Sequence, residues 1–365
     1  PYVAKILHTH KPLVYVDCFA GKGKFDDGKQ GSPLIALEIM EQGLNSSTMS
    51  GRLQIAPAFI DLNYADDLRA NLKDYPGVKI VSGAYEDTID ELLHNVFLYI
   101  DPYGIKALNC LKFDEFANGQ FNSIELLINM NSFGFIREGC RVMGKQFMID
   151  DDSFFDDLVE YEPTRLDASD KSVQALNQIA GGDYWKPIIE QYISGKIDGY
   201  KAEEYFSEQY CQRLSQTFTY VLNMPIRIKK GQHTKYRMIH ATNHPDGCVL
   251  MADNICNRWE LMKQLQTGGQ MSFFQETVDN QIISEGEIQN NVIEHFSQCY
   301  SWTSLNEALA VFFVKYGAIC KSGDIAKILK KLEKDKRLAV MRNPSLTVKG
   351  KPSTFMTEGH GKTVS

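Results

Sequence analysis

Acidic residues that close apolar segments are the residues of this sequence best suited to chemistry. Asp17, Asp61 and Asp101 each end such a segment, and Glu86 follows a fourth one, "VKIVSGAY". Four carboxylates brought together would repel phosphate groups. They would attract a sulfonium and would accept hydrogen bonds from ammonium and hydroxyl groups. The set therefore favours S-adenosylmethionine (SAM) as a ligand over ATP or NAD.

A glycine-bearing stretch, "DCFAGKGKFDDGKQGSP", begins at the first of these acids. Its spacing is not that of a phosphate-binding P-loop, and Asp26 stands where the dinucleotide fingerprint would have its third glycine. Gly21 and Gly23 carry no Cβ and would let a ligand approach the backbone closely. Taken alone, the stretch is equally well explained as a plain turn between a strand and a helix.

An alternation of strands and helices is predicted from residue 13 to residue 135. The five predicted strands lie in "LVYVDCF", "APAFIDLN", "VKIVSGA", "VFLYIDPYG" and "SIELLINMNSFG". Strands that are apolar throughout are typical of parallel sheets covered on both faces. The carboxyl ends of parallel strands share one edge, where open α/β sheets bind their ligands, so we expect the acids to meet there.

The remaining segments suggest how the chain is divided into domains. Residues 136–215 are predicted to be a helical insertion, and residues 216–283 return to the sheet with two long strands joined by a basic turn. We therefore predict an α/β, Rossmann-like class I methyltransferase sheet of seven strands, ending in an antiparallel hairpin and built from residues 1–135 and 216–283. Residues 284–365 show three amphipathic helices and two short strands in "LAVMRNPSLTVKGKPSTFMT", which favours a winged helix. A helical dimerisation tail is the alternative.

Several blocks of the sequence resemble the three-Cys-motif partner protein (TcmP) family. The blocks are "YVDCFAGKGKFDDGKQGSPLIAL", "YIDPYGIKAL", "ELLINMNSFG", "HATNHPDGCVLM" and "MRNPSLTVKGKPSTFM", in the family's order from about residue 13 to the end. The resemblance implies a methyltransferase-like fold and a phage-related partner protein with a radical-SAM-like three-cysteine cluster. It also implies that Asp17, Phe19, Ala20, Gly21 and Gly23 form the cofactor loop, and that Asp101 and Pro102 form the fourth-strand motif. Lys22 stands where the family often has proline, and we expect its ammonium group to point away from a sulfonium.

The roles expected at the strand tips follow from residue type. Asp17, Gly21 and Gly23 would hold the methionine part of SAM, Asp61 the ribose, and Tyr85 and Glu86 the adenine. The segment "IDPYG" partly resembles the D-P-P-Y motif of amino methyltransferases. Asp101 and Tyr103 would then place a nucleobase amine, with the aromatic ring stacked on a flipped base.

The distribution of charge points to a polyanionic partner. The whole chain carries a net charge of −7, yet residues 321–351 contain ten basic and three acidic residues, a local charge of +7. The basic hairpin turn and this segment would contact a phosphate backbone. The residues predicted to do so are Arg227, Lys229, Lys230, Lys235, Arg237, Lys330, Lys331, Arg342 and Lys349. A solvated, charged turn is the alternative for the hairpin.

Cysteine and histidine residues give weaker indications. The eight cysteines form no C-x-x-C pair, which is typical of reduced thiols in a cytoplasmic protein. His240 and His244 lack a third metal ligand at a suggestive spacing, so no metal site is predicted, and a structural role is the simpler reading of His240. We also expect no signal peptide and no membrane-spanning segment.

Our main hypothesis is therefore a SAM-dependent methyltransferase that acts on DNA or RNA. The first alternative is a SAM- or nucleotide-binding module without turnover, which would act with a partner protein or as a DNA-binding regulator. The second is a Mg²⁺-dependent nuclease that uses Asp17, Asp61 and Asp101.

Overall fold

The protein is described by a computed structural model that covers most of the chain. The described residues are 12–46, 55–89, 94–148, 170–226, 234, 236–266, 283–299, 301–347, 349–351, 353 and 361–364. The chain forms two compact units, and the change from the first unit to the second along the described chain falls between Asn243 and His244. The sequence placed this boundary at residue 284, so packing assigns the intervening helix to the second unit.

A seven-stranded sheet forms the centre of the first unit. Its strands are β1 (Leu13–Asp17), β2 (Ile55–Asp61), β3 (Lys79–Ser82), β4 (Asn95–Ile100), β5 (Ser123–Met130), β6 (Tyr220–Ile226) and β7 (Tyr236–Thr242). Their order is β3-β2-β1-β4-β5-β7-β6. The first five strands pair in parallel, whereas β7 pairs antiparallel with both β5 and β6. The predicted Rossmann-like class I methyltransferase plan, with its terminal hairpin, is confirmed.

Strand register brings the predicted acids to one edge and one face of this sheet. Asp17 lies opposite Phe59 on β2 and opposite Tyr99 on β4. Asp61 and Asp101 follow those two partners by two residues, and residues two apart in a strand share a face. The three carboxyl groups therefore start from neighbouring strand tips on the same side.

Helices cover both faces of the sheet. Those of the first unit are α1 (Ser32–Ser46), α2 (Ala65–Asn71), α3 (Tyr85–Thr88), α4 (Cys110–Ala117), α5 (Ser132–Val142), α6 (Asp170–Ala180), α7 (Trp185–Ile193) and α8 (Gly199–Leu214). The larger core cluster joins Val16, Leu98 and Leu126 to residues of α4–α8. A smaller cluster packs Phe59 against residues of α1 and α2 on the opposite face. The region predicted to be a helical insertion thus contains helices that help to close the main core.

The second unit combines helices with a small antiparallel sheet. Its helices are α9 (Pro245–Gln266), α10 (Glu285–Ser297), α11 (Leu305–Tyr316) and α12 (Ser322–Lys334). Its strands are β8 (Thr303–Ser304), β9 (Val340–Asn343) and β10 (Gly361–Val364), in the order β8-β10-β9. Asp253 of α9 accepts 2.7 Å hydrogen bonds from both the backbone N–H and the hydroxyl of Ser322, and so fixes the start of α12.

Two sequence expectations for this unit can be compared with the structure. The three predicted helices coincide with α10, α11 and α12. Both short strands were expected within residues 338–357. Among the described residues of that segment the structure has β9, and its partner β10 comes later in the chain. No helix among the described residues is long and apolar enough to cross a membrane.

Candidate functional site

The loop after β1 is joined by backbone hydrogen bonds to the strands on either side. The N–H of Cys18 donates to the carbonyl of Tyr99 on β4 at 2.9 Å, and the N–H of Ala20 donates to the carbonyl of Ile60 on β2 at 3.0 Å. The loop therefore continues the sheet beyond the strand for several residues before it turns away. These two hydrogen bonds fix the backbone of the segment that sequence analysis predicted to be the cofactor loop.

The two glycines of the loop serve different purposes. Both have positive φ angles, +58° at Gly21 and +77° at Gly23. A Cβ on Gly23 would lie 2.9 Å from Cδ1 of Leu68, so this glycine permits α2 to pack against the loop. A Cβ on Gly21 would meet no atom within 4 Å among the described residues. Only Gly21 offers an open backbone surface to a ligand, whereas both glycines were expected to do so.

Asp61 is the most heavily hydrogen-bonded acid at this edge. Its Oδ2 accepts from the N–H of Gly21 at 2.8 Å, and its Oδ1 accepts from the N–H groups of Asn63 and Tyr64, both at 2.8 Å. A carboxylate has about four acceptor positions, and three are occupied. Asp61 therefore keeps capacity for about one further donor, rather than for both hydroxyls of a ribose as the sequence suggested.

Asp17 is buried and joins β1 to the start of α1. Its Oδ2 accepts a 2.6 Å hydrogen bond from the hydroxyl of Ser32, and its Oδ1 accepts from the N–H of Phe19 at 3.2 Å. Burial is the largest cause that raises the pKa of Asp17 to about 7, and the charges of Asp101 and Asp61 raise it further, against the two hydrogen bonds. The side chain of Asp17 is fully buried, so it supports the loop from the interior of the protein.

Asp101 follows β4 and is held by two side chains that sequence analysis did not identify. The phenol of Tyr99 donates to Oδ2 at 3.0 Å, and the amide of Asn129 on β5 donates to Oδ1 at 2.9 Å. Pro102 is buried, and Tyr103 is 69% exposed. The predicted acceptor residues therefore comprise a fixed carboxylate and an exposed aromatic ring.

The predicted adenine-side residues do not lie together at the surface. Tyr85 is 1% exposed and donates a 2.7 Å hydrogen bond to the carbonyl of Ala107. The ring of Phe19 packs edge-on against it, with 5.5 Å between the ring centroids. The structure thus places Tyr85 in the core, where it cannot flank a ligand. Glu86 is half-buried, and burial raises the pKa of its carboxyl group.

Lys22, which we expected to point away from a bound sulfonium, is paired with a carboxylate of its own loop. Its ammonium group lies 3.0 Å from Oδ1 of Asp26 and 5.4 Å from the ring centroid of Tyr64. The hydrogen bond to Asp26 is the largest cause that raises the pKa of Lys22. The positive charge therefore has a carboxylate partner outside the strand-tip acids.

Two of the side chains that sequence analysis missed, Tyr99 and Asn129, could have been identified from the pattern of residues along their strands. Tyr99 lies two residues before Asp101 and so shares its face of the sheet. Asn129 interrupts the apolar run "ELLINM", and an isolated amide in a buried strand normally requires a hydrogen-bond partner. Ser32 was recognised only as the start of a helix, because its partner lies 15 residues earlier in the chain.

His240 is a sheet residue away from the strand tips. It is fully buried on β7, and its Nε2 lies 2.9 Å from Oε2 of Glu125 on β5, while its Nδ1 has no hydrogen-bond partner among the described residues. His244 is largely exposed. No group of three or more candidate metal ligands occurs among the residues that the structure describes.

Two of the arginines predicted to bind nucleic acid are engaged inside the protein. Arg237 is 8% exposed, and its guanidinium donates to both carboxylate oxygens of Glu203, at 2.6 and 2.8 Å. Arg342 donates to both oxygens of Glu333, at 2.6 and 2.7 Å. Neither guanidinium is therefore available for phosphate in this structure, which corrects the prediction for both residues.

The lysines predicted for the same role differ from the arginines. Lys330 and Lys331 on α12 and Lys349 after β9 are exposed. Lys327, one turn earlier on α12, pairs with Asp324 at 2.8 Å. The other predicted residues, Arg227, Lys229, Lys230 and Lys235, lie outside the described residues, so the predicted basic turn is not described.

Comparison with known proteins yields structural similarity without a family. No family model matches the chain, and no curated protein matches it. The solved structures that resemble it include the CMeT domain of the citrinin polyketide synthase (12% identity, 64% of this chain and 46% of that chain, TM-score 0.31). Another is the geranyl diphosphate C-methyltransferase of Streptomyces coelicolor A3(2), in complex with S-adenosyl-L-homocysteine (11%, 66% and 75%, TM-score 0.27). A third is the plantazolicin methyltransferase BamL (9%, 67% and 85%, TM-score 0.28).

These similarities are limited in extent. The chain spans 46% of the length of the citrinin domain and 48% of the length of the CurJ carbon methyltransferase. At such TM-scores they carry no information about ligand or activity. The strand order of the sheet is what establishes the fold class, and the resemblance to the TcmP family stays a prediction.

Proposed function

We propose that this protein is a SAM-dependent methyltransferase that transfers a methyl group to an amine of a nucleic acid. The observation that carries the proposal is the arrangement at the carboxyl edge of the sheet. There the open backbone at Gly21, the carboxylate of Asp61 and the clamped carboxylate of Asp101 follow the neighbouring strands β1, β2 and β4. Ligands of open α/β sheets bind at this edge.

The charges at this edge favour SAM over a nucleotide phosphate. Asp61 has room for one ribose hydroxyl, and the half-buried Glu86 would face the adenine side. The methionine part would pass over the open backbone of Gly21, in the loop that the buried Asp17 supports. Carboxylates attract the ammonium and sulfonium groups of SAM and repel phosphates.

The reaction follows from the same arrangement. Bound SAM would supply the methyl group: the lone pair of the acceptor nitrogen would form a bond to the methyl carbon while the carbon–sulfur bond breaks and its electron pair stays on sulfur. The nitrogen then loses one proton, which passes to Asp101 and from there to solvent. The protein contributes alignment and exclusion of water, which methyl transfer needs more than a strong base. The exposed ring of Tyr103 would stack on the acceptor base.

Two features of the second unit support nucleic acid as the substrate. Its element order, α10-β8-α11-α12-β9-β10, agrees with a winged helix in which α12 would be the recognition helix. The exposed lysines of α12, Lys330 and Lys331, together with Lys349, would contact phosphates. A three-cysteine partner protein belongs to this proposal only through the sequence resemblance.

Calorimetry and a transfer assay test the proposal on the full chain. We expect S-adenosylhomocysteine (SAH) to bind the wild type, and we expect labelled methyl to pass from SAM to DNA or RNA oligonucleotides. Asp61→Ala should weaken SAH binding at least tenfold, because one hydroxyl acceptor and the anchor of the Gly21 N–H are lost. The matched control Asp66→Ala removes a nearby exposed carboxylate and should bind as the wild type does.

The possible outcomes distinguish between the hypotheses. Absence of SAM and SAH binding by the wild type would refute the proposal. Binding without transfer to any oligonucleotide would favour a SAM-binding regulator instead.

A further inference from the structure

The carboxylate of Asp101 has one protein donor on each of its oxygens. The Tyr99 hydroxyl reaches Oδ2 from the same strand at 3.0 Å, and the Asn129 amide reaches Oδ1 from the adjacent strand at 2.9 Å. Tyr99 and Asn129 lie on the same face of the sheet, since Tyr99 is paired with Leu127, two residues before Asn129. The plane of the carboxylate is therefore fixed by two elements that are themselves part of the sheet.

Both donors are neutral and remain donors. Burial, followed by the charge of Asp101, raises the pKa of Tyr99 above its ordinary value, so the phenol keeps its proton. The side-chain amide of Asn129 can donate only through its nitrogen. No lysine or arginine pairs with Asp101 among the described residues, so nothing there neutralises the carboxylate.

The residue after Asp101 adds no backbone donor. Pro102 has no N–H, so the residue that follows the carboxylate can only accept hydrogen bonds. Each oxygen of Asp101 has two acceptor positions, of which Tyr99 and Asn129 each occupy one. A ligand bound beside Asp101 would therefore face acceptor positions of the carboxylate that are open and fixed in orientation.

We propose that Tyr99 and Asn129 are positioning residues that clamp Asp101, so that the methyl acceptor must present a hydrogen-bond donor to it, which the N–H of an amine supplies. This inference rests on the proposed function and defines its substrate class. A primary amine can donate one hydrogen to Asp101 while its lone pair faces the methyl group. An acceptor carbon, carboxylate or keto group has no hydrogen to donate and would leave the clamped oxygens unpaired, which disfavours binding.

Three variants test the clamp on the full chain. Tyr99→Phe removes one hydroxyl, Asn129→Leu removes one amide at similar volume, and Asp101→Ala removes the clamped group. Tyr192→Phe, on α7, is the control. Among the described residues its half-buried phenol hydrogen-bonds only to the backbone of Met148, at 2.8 and 2.9 Å. The probes are SAH and adenine- or cytosine-containing oligonucleotides. The matched oligonucleotides carry unsubstituted purine or 2-pyrimidinone in their place, which have neither the exocyclic amine nor a ring N–H.

We expect SAH to bind all four variants as it binds the wild type. Tyr99→Phe and Asn129→Leu should each lower kcat about tenfold, with KM for SAM unchanged. Neither change should lower kcat further in the Asp101→Ala background, because both act through that carboxylate. In complexes with SAH, oligonucleotides with the amine should bind the wild type and Tyr192→Phe more tightly than their counterparts without it, and the three clamp variants should lose this preference.

Other results would overturn the inference. One is a kcat within twofold of the wild type in both Tyr99→Phe and Asn129→Leu. Another is that these changes lower kcat by the same factor in the Asp101→Ala background as they do in the wild type. Equal binding by the wild type of oligonucleotides with and without the exocyclic amine would refute the substrate class. The proton exchange of the Asn129 amide, followed by NMR without any ligand, is a separate test of the clamp. It should be slow in the wild type and fast in Asp101→Ala, and equal rates would refute the clamp. Failure of SAH to bind the wild type would instead refute the proposed function.

Discussion

The hydroxyl of Ser32 donates a 2.6 Å hydrogen bond to the buried carboxylate of Asp17. This bond connects the tip of β1 to the first residue of α1 across the loop that carries Gly21. It stabilises the ionised form of Asp17, but burial outweighs it and the pKa of Asp17 is raised to about 7. The support beneath the candidate cofactor loop therefore titrates near neutral pH.

The raised pKa of Asp17 predicts a pH dependence of stability. Between the ordinary pKa of 3.8 and about 7, the folded protein holds a proton on Asp17 that the unfolded chain has released. This contribution is complete below pH 4 and is lost as the pH rises through 7, with a magnitude on the order of 4 kcal/mol at most.

Asp17→Asn tests this dependence, because an amide does not titrate. Urea unfolding at pH 5 and pH 8 should show that the wild type loses stability relative to Asp17→Asn as the pH rises. The exposed Asp66→Asn serves as the control and should show no such change. A wild type that gains stability over Asp17→Asn between these two values would contradict the prediction.

Alanine at the two loop glycines should separate packing from ligand access. Gly23→Ala places a Cβ 2.9 Å from Leu68 at a φ of +77°, so we expect a loss of about 2–4 kcal/mol in the free energy of unfolding. Gly21→Ala has only the strain of its positive φ, about 1 kcal/mol, but it fills the open surface. Thermal melts and SAH calorimetry should find Gly23→Ala less stable, and Gly21→Ala weaker in binding. If one of the two variants were the more impaired both in stability and in SAH binding, separate roles in packing and ligand access would be contradicted.

Removal of Arg237 should destabilise the fold. Its partner Glu203 is 2% exposed and also accepts a hydrogen bond from Ser132, so Arg237→Ala would leave a buried carboxylate without its cation. Such a loss typically costs about 3–5 kcal/mol. Denaturant unfolding should show a smaller loss for Arg342→Ala, whose pair with Glu333 is more exposed. An Arg237→Ala protein as stable as the wild type but weaker in nucleic-acid binding would restore Arg237 to the interface.

The lysines of α12 should affect binding without affecting stability. Lys330→Ala and Lys331→Ala remove exposed ammonium groups, and each should lower the slope of log Kd against log salt concentration by about 1 if it contacts a phosphate. Lys327→Ala is the matched control, since its ammonium group already pairs with Asp324. Fluorescence anisotropy with a duplex oligonucleotide at several salt concentrations measures the slope. Unchanged slopes in both variants would exclude these lysines from the contact.

The sequence predicted the sheet well because its signals are local. Apolar runs such as "LVYVD" and "NVFLYI" indicate buried parallel strands, and the alternation with helices leaves few possible topologies. Asp17, Asp61 and Asp101 could be placed at strand tips for the same reason. Loop spacing also excluded the two phosphate-binding motifs without any structural knowledge.

The same local signals failed for side chains whose partners are distant in sequence. Arg237 lies next to the predicted basic turn and was assigned to nucleic acid, yet its carboxylate partner comes from a helix 34 residues earlier. Tyr85 sits in a loop-like "GAYEDT" segment, but its ring is directed into the core by the bond to Ala107. A sequence pattern shows residue type and spacing, and neither gives the direction of a side chain after a turn.

The sequence by itself determined the strand-tip acids, the glycine loop, the sheet class and the basic character of the C-terminal segment. Only the tertiary structure decided which of these groups keep open hydrogen-bonding positions. The carboxylate of Asp17 is buried and supports the loop through its bond to Ser32. Asp61 retains about one acceptor position. Asp101 is clamped by Tyr99 and Asn129 and keeps one acceptor position on each oxygen. The physical reason is that chain periodicity fixes a residue's place in a strand, whereas its free lone pairs depend on donors that other strands and loops bring to it in the folded protein.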